Sequence, residues 1–212
     1  MLNANTSTML EKAVKLTEWL AQNVPEREVP DSYKSRAAGT CFTIVRDHQA
    51  AIVHLVDEKH PSPAFSLARS VYEGYIRGAW LLHCASESQA DKFLDGDELR
   101  DTNGKKLSIT DLIDALEQTP AFDKDSLSAI KRTAWAALCD FAHVGGRLVN
   151  HWNTDKTVEV NFSPKEIDEV LILTGVFAVL ACVSMVNLAE TPSDAEHMEK
   201  ILEQVKAFNW KP

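Results

Sequence analysis

The sequence lacks any pair of cysteines spaced like the ligands of a metal or the partners of a redox dithiol. Its four cysteines are at least 43 residues apart and form no C-x-x-C motif; they are Cys41, Cys84, Cys139 and Cys182. This spacing gives no support to a zinc ribbon or a thioredoxin-like site. Each cysteine lies in an apolar segment with helical periodicity, so we expect four reduced, buried thiols in a cytoplasmic protein.

Positive charge is also scarce. The chain has 22 lysines and arginines against 31 acidic residues, a net charge of −9. This balance disfavours non-specific binding of nucleic acid, which normally needs a basic surface, although a local basic pocket is compatible with it. The sequence has neither a G-x-S-x-G motif nor a glycine-rich phosphate loop, the usual signatures of a serine hydrolase and of a nucleotide site. We also expect no signal peptide, because no basic region followed by an apolar core is present.

Helix-breaking residues are sparse, with 8 glycines and 8 prolines in 212 residues. Those at residues 60–63, at Asn103-Gly104 and at Gly145-Gly146 are clear breaks, and between these breaks apolar residues recur at three- and four-residue steps. Such a pattern predicts helices joined by short loops. We find no repeat or low-complexity segment. We therefore expect one all-α domain over residues 1–212, a bundle of six to eight helices whose last helix runs from Ser193 or Asp194 to Phe208.

Two segments, residues 63–85 and 164–190, predict apolar helices at the centre of this bundle. The second starts with Ser163-Pro164-x-Glu166, a capping-box pattern with proline in the first turn. Its residues 170–186 carry no charge and approach the length of a membrane span. Polar residues interrupt them and acidic residues flank them, without the basic cluster that orients a span. We therefore predict a second core helix and no membrane association.

The first central helix carries four charged or titratable residues on an otherwise apolar surface, namely Arg69, Glu73, Arg77 and His83. Buried charges are tolerated only when they are paired or hydrogen-bonded. Arg69 and Glu73 are four residues apart and share a helix face, which predicts an ion pair within the helix. Together with Tyr72, the two arginines also define a candidate pocket for a small anionic ligand.

A second polar segment, DFAHVGGRLVNHW at residues 140–152, surrounds the Gly-Gly break. Such a break exposes backbone amides and polar side chains at a helix end, where anions bind, and functional residues concentrate on irregular segments. Its candidate ligand-binding residues are Asp140, Arg147 and His151. In the alternative, structural interpretation, His143 caps a helix end while His151 and Trp152 fill the rim of the core.

A metal site is a weaker alternative. Asp140-x-x-His143 and Asp57-x-x-His60 have the i, i+3 carboxylate–histidine spacing of helical di-iron bundles, and Glu73 offers a further carboxylate. Such a centre needs one more carboxylate from another helix, and none is evident in the sequence. We therefore expect neither a metal nor another cofactor.

Two stretches, residues 68–86 and 139–146, resemble a group of uncharacterised bacterial all-helical proteins. The shared features are an R-S-x-x-E helix, here Arg69, Ser70 and Glu73, and a later histidine at a helix end, here His143. Through these features the chain is similar, distantly, to the HEPN class. HEPN proteins are all-helical and often act as metal-independent ribonucleases in toxin and defence systems.

The resemblance implies a mechanism and an assembly. The HEPN hallmark is an arginine followed, after four to six residues, by a histidine, and Arg77 and His83 have five residues between them. Gly78 stands where the class usually has a polar residue. The resemblance implies that Arg77 or Arg69 holds the scissile phosphate of RNA, while His83 or His143 serves as general base or acid. It also implies a homodimer with the site at the shared face.

Three functional hypotheses follow, and the sequence leaves open whether the protein is an enzyme. The leading one is a non-enzymatic helical module that dimerises or binds a partner or ligand, with a buried cluster of Arg, Glu and His. The alternative is a HEPN-like, metal-independent endoribonuclease. The second alternative is a metal site within the bundle.

Overall fold

The computed structural model describes residues 4–24, 29–189, 199–201 and 203. These parts of the chain contain eight α-helices and no strand, which confirms the predicted all-α bundle. The predicted last helix, 193–208, lies almost entirely outside the described residues. The helices are α1 Ala4–Asn23, α2 Tyr33–Asp57, α3 Pro61–His83, α4 Glu87–Leu94, α5 Ile109–Leu116, α6 Ser126–Ala142, α7 Gly146–Asn150 and α8 Pro164–Ala189.

Serine caps and prolines determine where several helices begin. In three capping boxes the serine hydroxyl accepts from a backbone amide while the side chain three residues later accepts from the serine amide; these are Ser86–Gln89, Ser108–Asp111 and Ser163–Glu166. α3 begins two residues before the predicted start, with Pro61 in its first turn, where the missing proline N–H removes no helical hydrogen bond.

α3 lies at the centre of the bundle and packs against α2, α5, α6 and α8. Two glycines bring α3 close to α2. A Cβ atom added at Gly78 would lie 2.7 Å from Cε1 of Phe42, and one added at Gly74 would lie 2.9 Å from Cγ2 of Val45. Because any side chain at position 78 would push into Phe42, the close packing of α2 on α3 depends on glycine there.

α8 is the second central helix, as predicted. Within the described residues, only residues 164–188 are long and apolar enough to cross a membrane by length and composition, and 61% of the most apolar window is buried in the fold. The helix packs against α1, α2 and α3. Thr174 is fully buried, and its hydroxyl donates a hydrogen bond to the carbonyl of Val170, so this polar group is paired. The helix thus forms part of the protein core.

The cysteines are less uniformly buried than the sequence predicted. All four are free, with Cys41 and Cys182 buried and Cys84 and Cys139 partly exposed. Burial disfavours the thiolate and raises the pKa of both Cys41 and Cys182 to about 11. The two partly exposed thiols lie at or near helix ends, where packing is less complete.

The two long connections are ordered by their own hydrogen bonds. In the segment 95–108, the amide of Leu107 donates to the carbonyl of Leu99, whose side chain is buried. In the segment 151–161, an isolated bridge joins Asn153 to Val158. The second connection brings the chain from the end of α7 to the start of α8.

Candidate functional site

Glu73 connects the two arginines of α3. Its Oε1 accepts from Nε of Arg69 at 2.6 Å, and its Oε2 accepts from Nη2 of Arg77 at 2.9 Å. Glu73 is four residues from each arginine, so all three side chains lie along one face of the helix. The side chains of Arg69, Glu73 and Arg77 are 22%, 17% and 43% exposed. The predicted Arg69–Glu73 ion pair is present, and it is partly exposed rather than buried.

The end of α6 brings His143 against Arg69. Ser66 fixes this contact region, because its hydroxyl lies 3.0 Å from the carbonyl of Phe141 and joins the last turn of α6 to α3. Nη1 of Arg69 then forms a hydrogen bond with Nε2 of His143. A guanidinium can only donate, so Nε2 of His143 must be the acceptor in this contact. Arg69 and His143, 74 residues apart in the sequence, thus meet in the fold.

Trp135 completes this group, although it was not among the site residues predicted from the sequence. The guanidinium carbon of Arg69 lies 5.0 Å from the centre of the Trp135 ring, which is a cation–π distance. Trp135 precedes His143 by eight residues, about 80° around a helix, and this neighbouring position was the available signal. We call the five residues Arg69, Glu73, Arg77, Trp135 and His143 the arginine cluster.

Two candidate residues contribute no polar group to the arginine cluster, although the ring of Tyr72 lies 5.9 Å from that of Trp135. Tyr72 is only 1% exposed and packs against Phe177, so it belongs to the core and has no surface to offer a ligand. Burial raises the pKa of its hydroxyl above the ordinary value, as does the nearby charge of Glu117. This placement departs from the predicted anion pocket, because Tyr72 points inward from the helix that carries the arginines.

His83 does not meet Arg77 as the HEPN spacing implied. Six residues correspond to about 240° of rotation around an α-helix, so the two side chains leave different sides of α3. His83 instead packs edge-on against Phe122, with ring centres 5.7 Å apart. Burial lowers the pKa of His83, and the charge of Lys34 lowers it further. The histidine that accompanies the arginines is His143.

The residues after α6 form a second polar group. Gly145 packs directly on Asp140: its amide donates to the Asp140 carbonyl at 2.7 Å, and an added Cβ atom would lie 2.5 Å from Oδ1 of Asp140. Nε of Arg147 lies 3.8 Å from Oδ2 of Asp140, an ion pair too long for a hydrogen bond. We call the six residues Asp140, Gly145, Arg147, His151, Phe162 and Glu166 the corner.

His151 fills the interior of the corner and is 16% exposed. Its ring stacks on Phe162 with centres 4.3 Å apart. Its two nitrogens both face acceptors, since Nδ1 lies 3.2 Å from the carbonyl of Asn161 and Nε2 lies 3.2 Å from Oε1 of Glu166. His151 thus occupies the position that the structural interpretation gave it, at the rim of the core.

The corner also changes the acidity of Glu166. Partial burial raises the pKa of this carboxyl, but hydrogen bonds from Ser163 and the charges of His151 and Arg147 outweigh burial and lower the pKa below the ordinary value. The carboxylate is therefore the favoured form in the fold, and it has partners on both oxygens.

The metal hypothesis gains no support from the geometry. Over the described residues, no group of three or more His, Cys, Asp or Glu side chains is placed to hold a metal ion. Asp57 is the last residue of α2, and His60 lies beyond the helix, so the i, i+3 spacing does not apply there. At the other candidate pair, His143 faces Arg69, whose positive charge opposes a cation at that nitrogen.

Comparison with known proteins gives a family without an assigned function. Neither the curated proteins nor the solved structures include a significant match to the chain. The sequence model of a family of unknown function (DUF6988) matches residues 42–208, which include the arginine cluster and the corner. Because this match spans most of the sequence, the chain belongs to the family of unknown function DUF6988.

Proposed function

We propose that the protein is a non-enzymatic helical module that binds an anionic group, of a small ligand or of a partner, at the arginine cluster. One observation carries this proposal: two guanidinium groups share a single carboxylate. Arg69 and Arg77 contribute two positive charges and Glu73 one negative charge, so the cluster keeps an excess of +1 in a chain whose net charge is −9. An anion is attracted to such an excess when the side chains remain accessible.

The guanidinium groups are oriented before any ligand arrives. Glu73 fixes one edge of each arginine, and Trp135 covers one face of Arg69. Among the described residues, neither Nη2 of Arg69 nor Nη1 of Arg77 has a hydrogen-bond acceptor. Guanidinium donors suit carboxylate and phosphate oxygens, and pre-oriented side chains lose little freedom on binding.

The competing explanation is that the cluster only stabilises the fold. Exposed ion pairs contribute about 0–1 kcal/mol, because water screens them and the long side chains lose freedom. The guanidinium of Arg77 is nearly half exposed. A second arginine on an already paired carboxylate therefore adds little stability, which favours a binding role for the pair.

A titration with inorganic phosphate, followed by calorimetry, tests the proposal. We expect saturable binding to the parent protein and a loss of about tenfold in Arg69→Gln and in Arg77→Gln, since each removes a charge-assisted contact. Arg132→Gln is the matched control, because Arg132 is an exposed arginine paired one-to-one with Asp125. Equal weakening in the control, or no binding to the parent, would contradict the proposal.

A second candidate function is metal-independent RNA cleavage, and the Arg69–His143 contact favours it. This chemistry needs a cation at the scissile phosphate and a histidine that exchanges the proton of the 2′-hydroxyl. The cluster brings both group types together, although in a different pair from the one the spacing implied. We rank it second because the lone pair of Nε2 already accepts from Arg69, whereas a general base needs that lone pair free.

Incubation of a single-stranded RNA with the protein in EDTA tests this second candidate. We expect cleavage, if it is the function, to disappear in Arg69→Gln and in His143→Ala and to persist in His83→Ala, because His83 is remote from the cluster. Intact RNA with the parent protein would exclude it.

Self-association is part of the proposed module, and the surface after α6 supports it. Of the large apolar side chains exposed in the described residues, most lie between positions 144 and 160; these are Val144, Val149, Trp152, Val158 and Val160. A contiguous exposed apolar patch marks a protein interface, and we propose that these side chains form one. We expect analytical ultracentrifugation to detect a dimer, and Val158→Lys, at a position 82% exposed, to weaken it without lowering the melting temperature. A parent protein that remains monomeric at all concentrations would exclude self-association.

A further inference from the structure

α6 and α8 both pack on α3 and leave a cleft between them. The cleft has a volume of about 430 Å³, and Phe65 of α3 lies at its base. Its other lining residues include Ala137, Leu138, Arg147, Glu166, Glu169 and Leu173. Ala137 follows Trp135 by two residues, about 200° around the helix, so the cleft lies on a different side of α6 from the arginine cluster.

The cleft has the composition of a small-molecule site. Its volume is within the usual range for ligand pockets, which are mostly apolar with a few polar groups that orient the ligand. Here the apolar surface comes from three helices and includes the ring of Phe65 and the side chains of Leu138 and Leu173. The charged residues Arg147, Glu166 and Glu169 share the lining with this surface.

Arg147 is the one cationic side chain in this lining, and its guanidinium has unused hydrogen-bonding capacity. Glu166 already accepts from Ser163 at one oxygen and contacts His151 at the other. Glu169 is mostly exposed and has Lys165 at 3.6 Å. Arg147 has Asp140 at 3.8 Å and, in the described part of the chain, no hydrogen-bond acceptor. An anion is the group that would satisfy the guanidinium of Arg147.

We propose that this cleft binds an amphipathic monocarboxylate, with its apolar tail between α6 and α8 and its carboxylate on the guanidinium of Arg147. A planar guanidinium pairs well with a carboxylate through two parallel hydrogen bonds. The negative charges of Glu166 and Glu169 flank the same position and disfavour a doubly charged head group such as a phosphate monoester. The inference does not depend on the arginine cluster, which uses other residues.

A ligand series measured by calorimetry tests both ends of the site. We expect octanoate to bind more tightly than octan-1-ol and than octylamine, because Arg147 prefers a negative head group. We expect octanoate to bind roughly tenfold more tightly than hexanoate, since two more methylene groups leave water. Arg147→Gln should weaken octanoate about tenfold and leave octan-1-ol unchanged. Because Arg147 is largely exposed, this variant should keep the parent melting temperature.

A cleft-filling variant separates this site from adhesion elsewhere on the surface. Ala137→Phe places a ring in the cleft and should abolish octanoate binding, whereas Ala136→Phe, at an exposed position on the same helix, should leave it unchanged. Tighter binding of octylamine than of octanoate would overturn the assignment of the head group. Full binding in Ala137→Phe, or no saturable binding of octanoate to the parent protein, would overturn the site itself.

Discussion

The arginine cluster and the corner contain the same residue types but use them differently. Each has a histidine, an arginine and a glutamate. In the corner, His151 is enclosed by aromatic rings and both of its nitrogens face acceptors. In the cluster, His143 is exposed, and two arginines share Glu73. A histidine that is enclosed and has partners at both nitrogens contributes to folding, whereas an exposed histidine beside excess charge and free donors is suited to binding.

The largest expected difference between the two regions comes from His151→Ala. It removes the ring that stacks on Phe162, so a cavity forms, and Oε1 of Glu166 loses its partner while Ser163 still donates to Oε2. We expect a loss of about 2–4 kcal/mol in the free energy of unfolding. Chemical denaturation followed by circular dichroism measures it. A loss below that of His143→Ala would reverse the assignment of roles.

Gly145 in the corner and its neighbour Gly146 provide the next test. Gly145→Ala forces a Cβ atom against Asp140, including its backbone, and should cost about 1–3 kcal/mol through overpacking. Gly146→Ala is the matched control. No atom lies within 4 Å of its Cβ position and it starts α7, so alanine should leave stability unchanged or raise it by up to about 1 kcal/mol. Equal melting temperatures for the two variants would mean that Asp140 moves away from the added Cβ atom without a loss of stability.

The histidine positions illustrate what the sequence could and could not predict. Contacts of local origin were predictable: the Arg69–Glu73 pair follows from four-residue spacing, and Ser163–Glu166 follows from the capping-box pattern. The sequence could not decide between the alternative roles of His83, His143 and His151. A helix face becomes buried or exposed only through its packing against distant helices.

The same limit applies to the contacts across the bundle. Arg69 meets His143 because Ser66 joins α3 to the last turn of α6, and no local pattern encodes that register. Tyr72 was assigned to a ligand pocket because it is near the arginines in sequence, but its side chain points into the core. The cleft beside α8 also depends on how two helices pack on a third.

The lowered pKa of Glu166 makes a smaller contribution to stability, and this contribution depends on pH. Its pKa in the fold is lower than the ordinary 4.5, so its contribution to stability is present above that value and is lost as the pH falls through the folded-state pKa. The side chain is one-third exposed, and water screens it, so we expect less than about 1 kcal/mol. Between pH 6 and pH 3, the free energy of unfolding should fall less steeply with decreasing pH in Glu166→Gln than in the parent. An unchanged slope would mean that other carboxyls dominate.

The smallest expected effect on stability, and the sharpest test of the comparison, comes from His143→Ala. The side chain is exposed and its one hydrogen bond goes to a guanidinium that Glu73 and Trp135 also hold. We expect the free energy of unfolding to change by no more than about 0.5 kcal/mol. Phosphate affinity should still fall about two- to fivefold, because Arg69 loses a contact that orients it. A thermal midpoint lowered as much as in His151→Ala, with phosphate binding intact, would mean that His143 is a structural cap. The arginine cluster would then stabilise the fold rather than bind an anion. A stable protein with weakened binding would instead place the binding function on the exposed histidine and its arginine.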